Sequence, residues 1–243
     1  MNYDEAIEIA PGIYWIGFYD KTANFHCNPY LIVDNDEAII IDPGSEPHFP
    51  IVARKVVSVI DPKKISYVIL SHQDPDLAGS MTVFEDLISN PELKVVANER
   101  VSFLLAHYGF KSPFYFIEKN GMQLRLKSGR ELQFLFTPYV HSPNAYVTYD
   151  VKSKILFSSD LFGAFSEHWD LYADEDYNEH MRTFHAPYMS SHEAMLSAMN
   201  KIEKLDLEMI ASQHGMIIKK DKIQRSIDFL KNLEVGQYLK EHG

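Results

Sequence analysis

The chain reads as an α/β protein, and three features point there. Short β-type runs alternate with helical stretches. Strand ends carry Asp, Pro and Gly turn chemistry. The order of elements also repeats: a β-rich block, helices with strands, a second β-rich block, then helix–strand–helix. Two similar halves in that order predict two stacked sheets with helices outside, a four-layer αββα sandwich.

The first meander covers residues 13–19 (IYWIGFY), 29–33 (PYLIV) and 38–41 (AIII), and closes on Asp42-Pro43-Gly44. A helix over about 48–60 leads into an apolar strand at 66–70 (SYVIL). Next come a polar loop, a helix near 79–89, a strand at 94–98 and a helix at 99–107. The second block holds strands at 122–126, 131–136, 145–149 and 154–158. A helix over about 190–204, a strand at 207–211 and a helix at 221–234 follow. The acidic stretch 170–179 (DLYADEDYNE) reads as a solvated loop. No repeat, low-complexity tract or linker interrupts the chain, so residues 1–243 are expected to form a single domain.

Composition excludes several functions. The 243 residues carry 34 acidic and 23 basic side chains, a net charge of −11, and no Lys/Arg stripe, which disfavours nucleic acid as a partner. The start, MNYDEAIEIAPG, lacks a basic and an apolar signal region, and no apolar run approaches the ~18 residues of a membrane span. A soluble, cytoplasmic protein with no membrane association is expected. The single cysteine, Cys27, rules out an internal disulfide, a Cys₄ zinc or iron site and a Cys-ligated cluster. Histidine is plentiful at 11 copies, so a metal here would be held by imidazole and carboxylate. Phosphate-loop, dinucleotide and nucleophile-elbow motifs are absent, and His192-Glu193 lacks the second zincin histidine because position 196 is Leu.

Four groups of metal-type residues remain, each after a strand. His72, Asp74 and Asp76 alternate in Ser71-His72-Gln73-Asp74-Pro75-Asp76-Leu77, so an extended loop would point them to one side. His141 follows ELQFLF, Asp160 ends KILFSSD, and His214 follows LEMIASQ. Any one of these alone is ordinary strand-end or turn chemistry; four in this order are not.

In that order and spacing the chain resembles the metallo-β-lactamase superfamily, whose signature is His-x-His-x-Asp-His, then His, a bridging Asp and a final His. It is most similar to the flavodiiron branch, with a carboxylate at the third position, and within it to stand-alone oxygen-binding members. The resemblance covers essentially the whole chain, from PGIYWIG through IIIDPG to ASQHG. It implies a di-iron centre of two Fe ions with Asp160 bridging, metal one taking His72, Asp74 and His141, and metal two taking Asp76 and His214. Two departures stand out: Leu77 occupies the place of a second-metal His, and Asp74 replaces Glu. Leu77 means either loss of the second metal or an open position; the remaining donors favour the open position. The chain ends before any flavodoxin-like domain, so no flavin is expected within it and electrons would come from outside.

Three imidazoles and three carboxylates suit iron better than zinc. His26, His185 and Tyr188 are candidates for contacts around the metals, His185 and Tyr188 by covering the site and donating to a bound oxygen, with a surface loop as the alternative. Cys27 reads as packing, and His168, His180 and His192 as surface residues. The expected function is O₂ binding, for sensing or for reduction of O₂ or NO with an external flavin- or rubredoxin-type donor, with peroxide a further ligand. The alternatives are a zinc-dependent hydrolase of the same fold and a silent interaction module. An external signalling partner and a homodimer, the latter implied by head-to-tail pairing among flavodiiron relatives, complete the expectations.

Overall fold

A computed structural model describes residues 1–20, 25–166 and 168–242, apart from the side chain of Lys240. The chain forms two compact units: Met1–Phe18 with Cys27–Gln133, and Tyr19–His26 with Phe134–Gly243.

Unit one is built on a seven-stranded sheet. Its strands, numbered in chain order, are β1 (Ile7–Ala10), β2 (Ile13–Trp15), β5 (Tyr30–Asp34), β6 (Glu37–Ile41), β7 (Ile65–Ile69), β8 (Lys94–Ala97) and β9 (Phe114–Phe116), adjacent in that order. The first four pair antiparallel, and β6 to β9 run parallel. Every residue of β6 is buried, as expected for a strand covered on both faces. Helix α1 (Phe49–Val59) buries Val52, Lys55 and Val56, one face of the helix. Buried Lys55 donates from Nζ to the carbonyls of Tyr3 and Gly17 and lies over the Trp15 ring, so it ties down the N-terminal segment. Short α2 (Pro75–Ala78) precedes α3 (Met81–Ile88), whose Phe84 meets Phe49 edge-on. Helix α4 (Ser102–Leu105) and the hairpin strand β10 (Gln123–Arg125), paired with the start of β11 (Glu131–Phe136), finish the unit.

Unit two begins with Tyr19–Asp20 and Phe25–His26 of a two-stranded ribbon, β3 (Phe18–Asp20) and β4 (Phe25–Cys27). Its sheet continues from the end of β11 through β12 (Tyr146–Asp150), β13 (Ile155–Phe157), β14 (Met209–Ala211) and β15 (Ile218–Lys219). The β13–β14 pair is parallel, and its neighbours are antiparallel. Helices α5 (Tyr177–Tyr188), α6 (His192–Ile202), α7 (Lys220–Asn232) and α8 (Gln237–His242) complete it. Met181, Met199, Ile210, Ile227 and Leu230 share one apolar core with Leu156 and Phe162.

Most expected elements are present, with instructive differences. The segment 13–19 divides into β2 and β3, and residues 99–107 form two 3₁₀ turns around α4. Strands β1, β4, β9 and β15 fall outside the expected strand segments. Helix α5 corrects the loop readings of both 170–179, in part, and Phe184–Tyr188. Tyr177, Met181, Phe184 and His185 recur at helical spacing as a buried stripe, which the acidic flank and Pro187 hide in the sequence. Among the described residues no helix is long and apolar enough to cross a membrane.

Candidate metal centre

In unit one the donors sit in the loop after β7, and the loop is braced residue by residue. Asp42, at the end of β6 with φ 51°, accepts from the Ser71 amide at Oδ1 and from the Ser71 hydroxyl at Oδ2, both at 2.8 Å. That clamp fixes the chain one residue before His72. His72 is buried, with Nε2 3.4 Å from Asp74 Oδ2. Asp74 Oδ1 accepts from Gln73 Nε2 at 2.9 Å, and the Gln73 carbonyl accepts from the Tyr108 hydroxyl at 2.7 Å. Thr82 on α3 holds the Tyr108 carbonyl in turn, at 2.7 Å. One carboxylate oxygen of Asp74 is therefore occupied by Gln73 while the other faces His72. Burial raises the Tyr108 phenol pKa, and the charges of Asp74 and Asp76 raise it further.

Asp76 lies in α2, where its carbonyl accepts a 3.4 Å bond from the buried Cys27 thiol, consistent with a packing role for that cysteine. Leu77 is fully buried, and its carbonyl accepts from the Gly44 amide at 3.0 Å.

Unit two carries the other three donors. Asp160 and His214 each lie three residues beyond adjacent parallel strands, whose last residues, Phe157 and Ala211, are in register. Both loops thus leave the sheet at the carboxyl ends of its strands, where α/β sheets commonly bind ligands. The Gln213 amide donates to the Ser159 carbonyl at 2.8 Å and links the two loops. Gly215 has φ 86°, and a Cβ there would stand 2.5 Å from the Tyr177 hydroxyl oxygen, so the turn after His214 requires glycine. Tyr177 in turn donates to the Phe162 carbonyl at 2.7 Å and accepts from the Met216 amide at 3.0 Å.

Asp160, itself buried, has an imidazole on each oxygen: His141 Nε2 stands 2.8 Å from Oδ2, and His214 Nε2 3.4 Å from Oδ1. The Nδ1 of His214 lies 2.7 Å from the His26 carbonyl. A carbonyl can only accept, so Nδ1 carries a proton, and in the neutral ring, the form that binds a metal, Nε2 presents a lone pair. Two acceptors, His214 Nε2 and Asp160 Oδ1, then face one another. A proton or a metal cation between them resolves the arrangement, and an N–H held by an outer acceptor is the usual way a metal-binding histidine is oriented. The donor set therefore fits metal ions.

Aromatic rings surround this group. His26 is fully buried against Tyr19 and Trp169, with ring centroids 4.5 and 5.4 Å away, and Trp169 Nε1 donates to the Gly215 carbonyl. Burial, with the nearby His214 ring, pushes the His26 pKa down to about 3. From α5, Phe184 stacks on Tyr188, and Tyr188 meets the His141 ring edge-on at 4.7 Å. His185 is fully buried on the same helix, and burial pushes its pKa down to about 4.

The structure thus brings His72 and Asp74 together in the loop after β7, places Asp76 in α2 rather than in the expected extended loop, and sets His141 and His214 on the Asp160 carboxylate, with His26 and Tyr188 against them. His168 and His192 are exposed, and His180 is half-buried. Sequence reasoning missed Asp42, Gln73, Tyr108 and Trp169. Asp42 was read only as turn chemistry, and its partner Ser71 is 29 positions away.

Residues 25–215 match the family described as ODP family beta lactamase. The chain belongs to the ODP beta-lactamase family. This ODP-family chain is 28% identical over 237 residues to a nitric oxide reductase of Moorella thermoacetica, covering 89% of this chain and 58% of that one. It spans 57–58% of the length of the first curated relatives it matches. Among solved structures, a chemotaxis sensor ODP in a peroxy diiron state aligns with a TM-score of 0.81 at 24% identity, over 97% of this chain and 98% of that one. A rubredoxin:oxygen oxidoreductase of Desulfovibrio gigas aligns with a TM-score of 0.84 at 22% identity, over 93% and 61%. The fold of the ODP-family chain is therefore α/β and metallo-β-lactamase-like.

Proposed function

We propose that this chain is a non-haem di-iron protein that binds O₂ as a sensor or, with an external electron donor, as an O₂- or NO-reducing module. The observation that carries the reading is the Asp160 carboxylate, with one imidazole on each oxygen and the His214 tautomer set so that its lone pair meets an acceptor. Residues 1–243 act as one functional domain, and the six donors act as one set. His72, Asp74 and His141 would hold one iron, Asp76 and His214 would hold the other, and Asp160 would serve both.

Three carboxylates among six donors form an oxygen-rich set that favours iron over the zinc of a hydrolase. Family membership supports the same choice, because the ODP sensor structure is a diiron one and the Moorella relative is a nitric oxide reductase. Bound iron supplies a reversible one-electron change at each position, which zinc lacks.

The chain's own residues set the stage for that chemistry. Gln73 fixes which Asp74 oxygen is presented, and the His26 carbonyl keeps the His214 proton on Nδ1. Phe184 and Tyr188 pack beside the His141 ring and limit its rotation. Leu77, buried and apolar, offers no donor where the resemblance places a histidine, which would leave room at that metal for a small ligand. Two irons can deliver two electrons, and four-electron reduction of O₂ needs two more. Sensing would work through a signalling protein and reduction through a flavin- or rubredoxin-type donor, in the cytoplasm, with a homodimer as the assembly.

The test mixes anaerobically reduced, iron-loaded protein with O₂ and follows visible absorption and O₂ uptake, with and without a flavin reductase. A lasting spectral change without continued uptake supports binding. Sustained uptake once the reductase is added makes the protein a reductase, and no spectral change in either case rejects the proposal in favour of the zinc hydrolase.

A further inference from the structure

His185 occupies the last turn of α5 and is completely buried. Its Nδ1 lies 2.8 Å from the carbonyl oxygen of Met181, four residues earlier. That carbonyl accepts, so Nδ1 holds the proton and Nε2 keeps a lone pair. Nε2 is buried and has no hydrogen-bond partner. A buried acceptor left unmatched is costly, and an apolar side chain would have filled the same space without that penalty.

The position of the ring says what the missing partner is. His185 meets Phe184 edge-on at 5.1 Å, and Phe184 lies 5.9 Å from His214 and stacks on Tyr188. Tyr188 in turn meets His141. Helix α5 thus lies over the two imidazoles that flank Asp160, and the Asp160 carboxylate acts on the His185 ring through space. The sequence suggested that His185 donates to a bound oxygen. With Nδ1–H committed to Met181, the ring can only accept.

We propose that His185 is a positioning residue whose Nε2 accepts a hydrogen bond from an O–H-bearing ligand, of the class of water, hydroxide or hydrogen peroxide, at the metal held by Asp160 and His214. The same lone pair opposes anions that carry no proton. This inference rests on the di-iron reading and assigns its ligand selectivity to one nitrogen.

The experiment titrates azide, an anion without a proton to donate, into ferric wild-type protein and into the full-length His185→Phe variant at neutral pH. The readout is the visible absorption that azide produces on ferric iron. His185→Phe is expected to bind azide about tenfold more tightly with its iron content unchanged, tenfold corresponding to about 1.4 kcal/mol. Unchanged or weaker azide binding overturns the proposal, and so does loss of iron, which would make His185 a ligand in its own right. A second measurement needs neither the variant nor the metal: ¹⁵N spectra of histidine-labelled, metal-free wild type should show His185 as the neutral Nδ1–H tautomer. A proton on Nε2 defeats this inference alone. Absence of iron from wild-type protein defeats the di-iron reading instead, whatever the tautomer.

Discussion

His214 and His26 stand 188 positions apart in sequence, yet the Nδ1–H of the first donates to the backbone carbonyl of the second over 2.7 Å. The acceptor is main chain, so the orientation of His214 does not depend on the His26 imidazole. What that imidazole contributes is packing against Tyr19 and Trp169. His26→Phe should therefore keep the iron content of the wild type, whereas His26→Ala should lower stability by about 3 kcal/mol, as for other large buried rings. Metal analysis and urea melts read the two effects separately. Loss of iron in His26→Phe would show that the imidazole itself is needed.

The same ring gives the protein a pH dependence. His26 and His185 have pKa values pushed down to about 3 and about 4 in the folded chain, against about 6.5 when unfolded. Between those limits the unfolded state binds more protons, so stability is full above about pH 6.5 and declines as the pH falls toward 4. Urea melts of the chelated, metal-free protein should show this decline at up to about 1.4 kcal/mol per pH unit for each histidine. His26→Phe should flatten the profile. An unchanged slope in that variant would contradict the assignment.

Gln73 and Tyr108 form a clip on Asp74 through bonds of 2.9 and 2.7 Å. Removing outer partners of a metal ligand typically costs about 10–100-fold in affinity. Gln73→Leu is expected to weaken one iron position by about that factor and leave the other near wild type, with Tyr108→Phe milder. Competition with a calibrated chelator measures both. Equal loss at the two positions would show a general loosening of the loop instead.

Leu77 is fully buried at the end of the donor loop, in the place where the resemblance leads one to expect a histidine. Leu77→His should tighten the second iron and change the rate of the optical response to O₂. Leu77→Ala serves as the packing control, with an expected loss of about 2–5 kcal/mol in melts. If Leu77→His matches that destabilisation without altering iron binding or the O₂ response, the side chain faces core rather than metal.

Much of this site was legible because strand ends are legible. His72, Asp160 and His214 each follow an apolar run, and each stands three residues past the last strand residue, Ile69, Phe157 or Ala211. The donors were therefore found by type and position. What escaped was set by contacts between distant segments. The Asp42–Ser71 clamp joins residues 29 apart, and Tyr108 reaches Gln73 over 35. Helix α5 escaped for a different reason: its buried stripe, Tyr177, Met181, Phe184 and His185, begins inside an acidic run that reads as a loop. The His185 tautomer follows from that helix, because its Nδ1 partner is a backbone carbonyl one turn earlier.

The central claim is a pair of irons sharing the Asp160 carboxylate, and iron stoichiometry in wild type and Asp160→Ala tests it most directly. Wild-type protein made in iron-replete cells should carry about two irons per chain, in line with three donors at one position, two at the other and the Asp160 carboxylate shared by both. Asp160→Ala should lose iron from both positions, because each Asp160 oxygen faces a different imidazole, whereas His72→Ala should disturb mainly one. One zinc and no iron in the wild type, or an Asp160→Ala variant that keeps one iron at full affinity, would contradict the account.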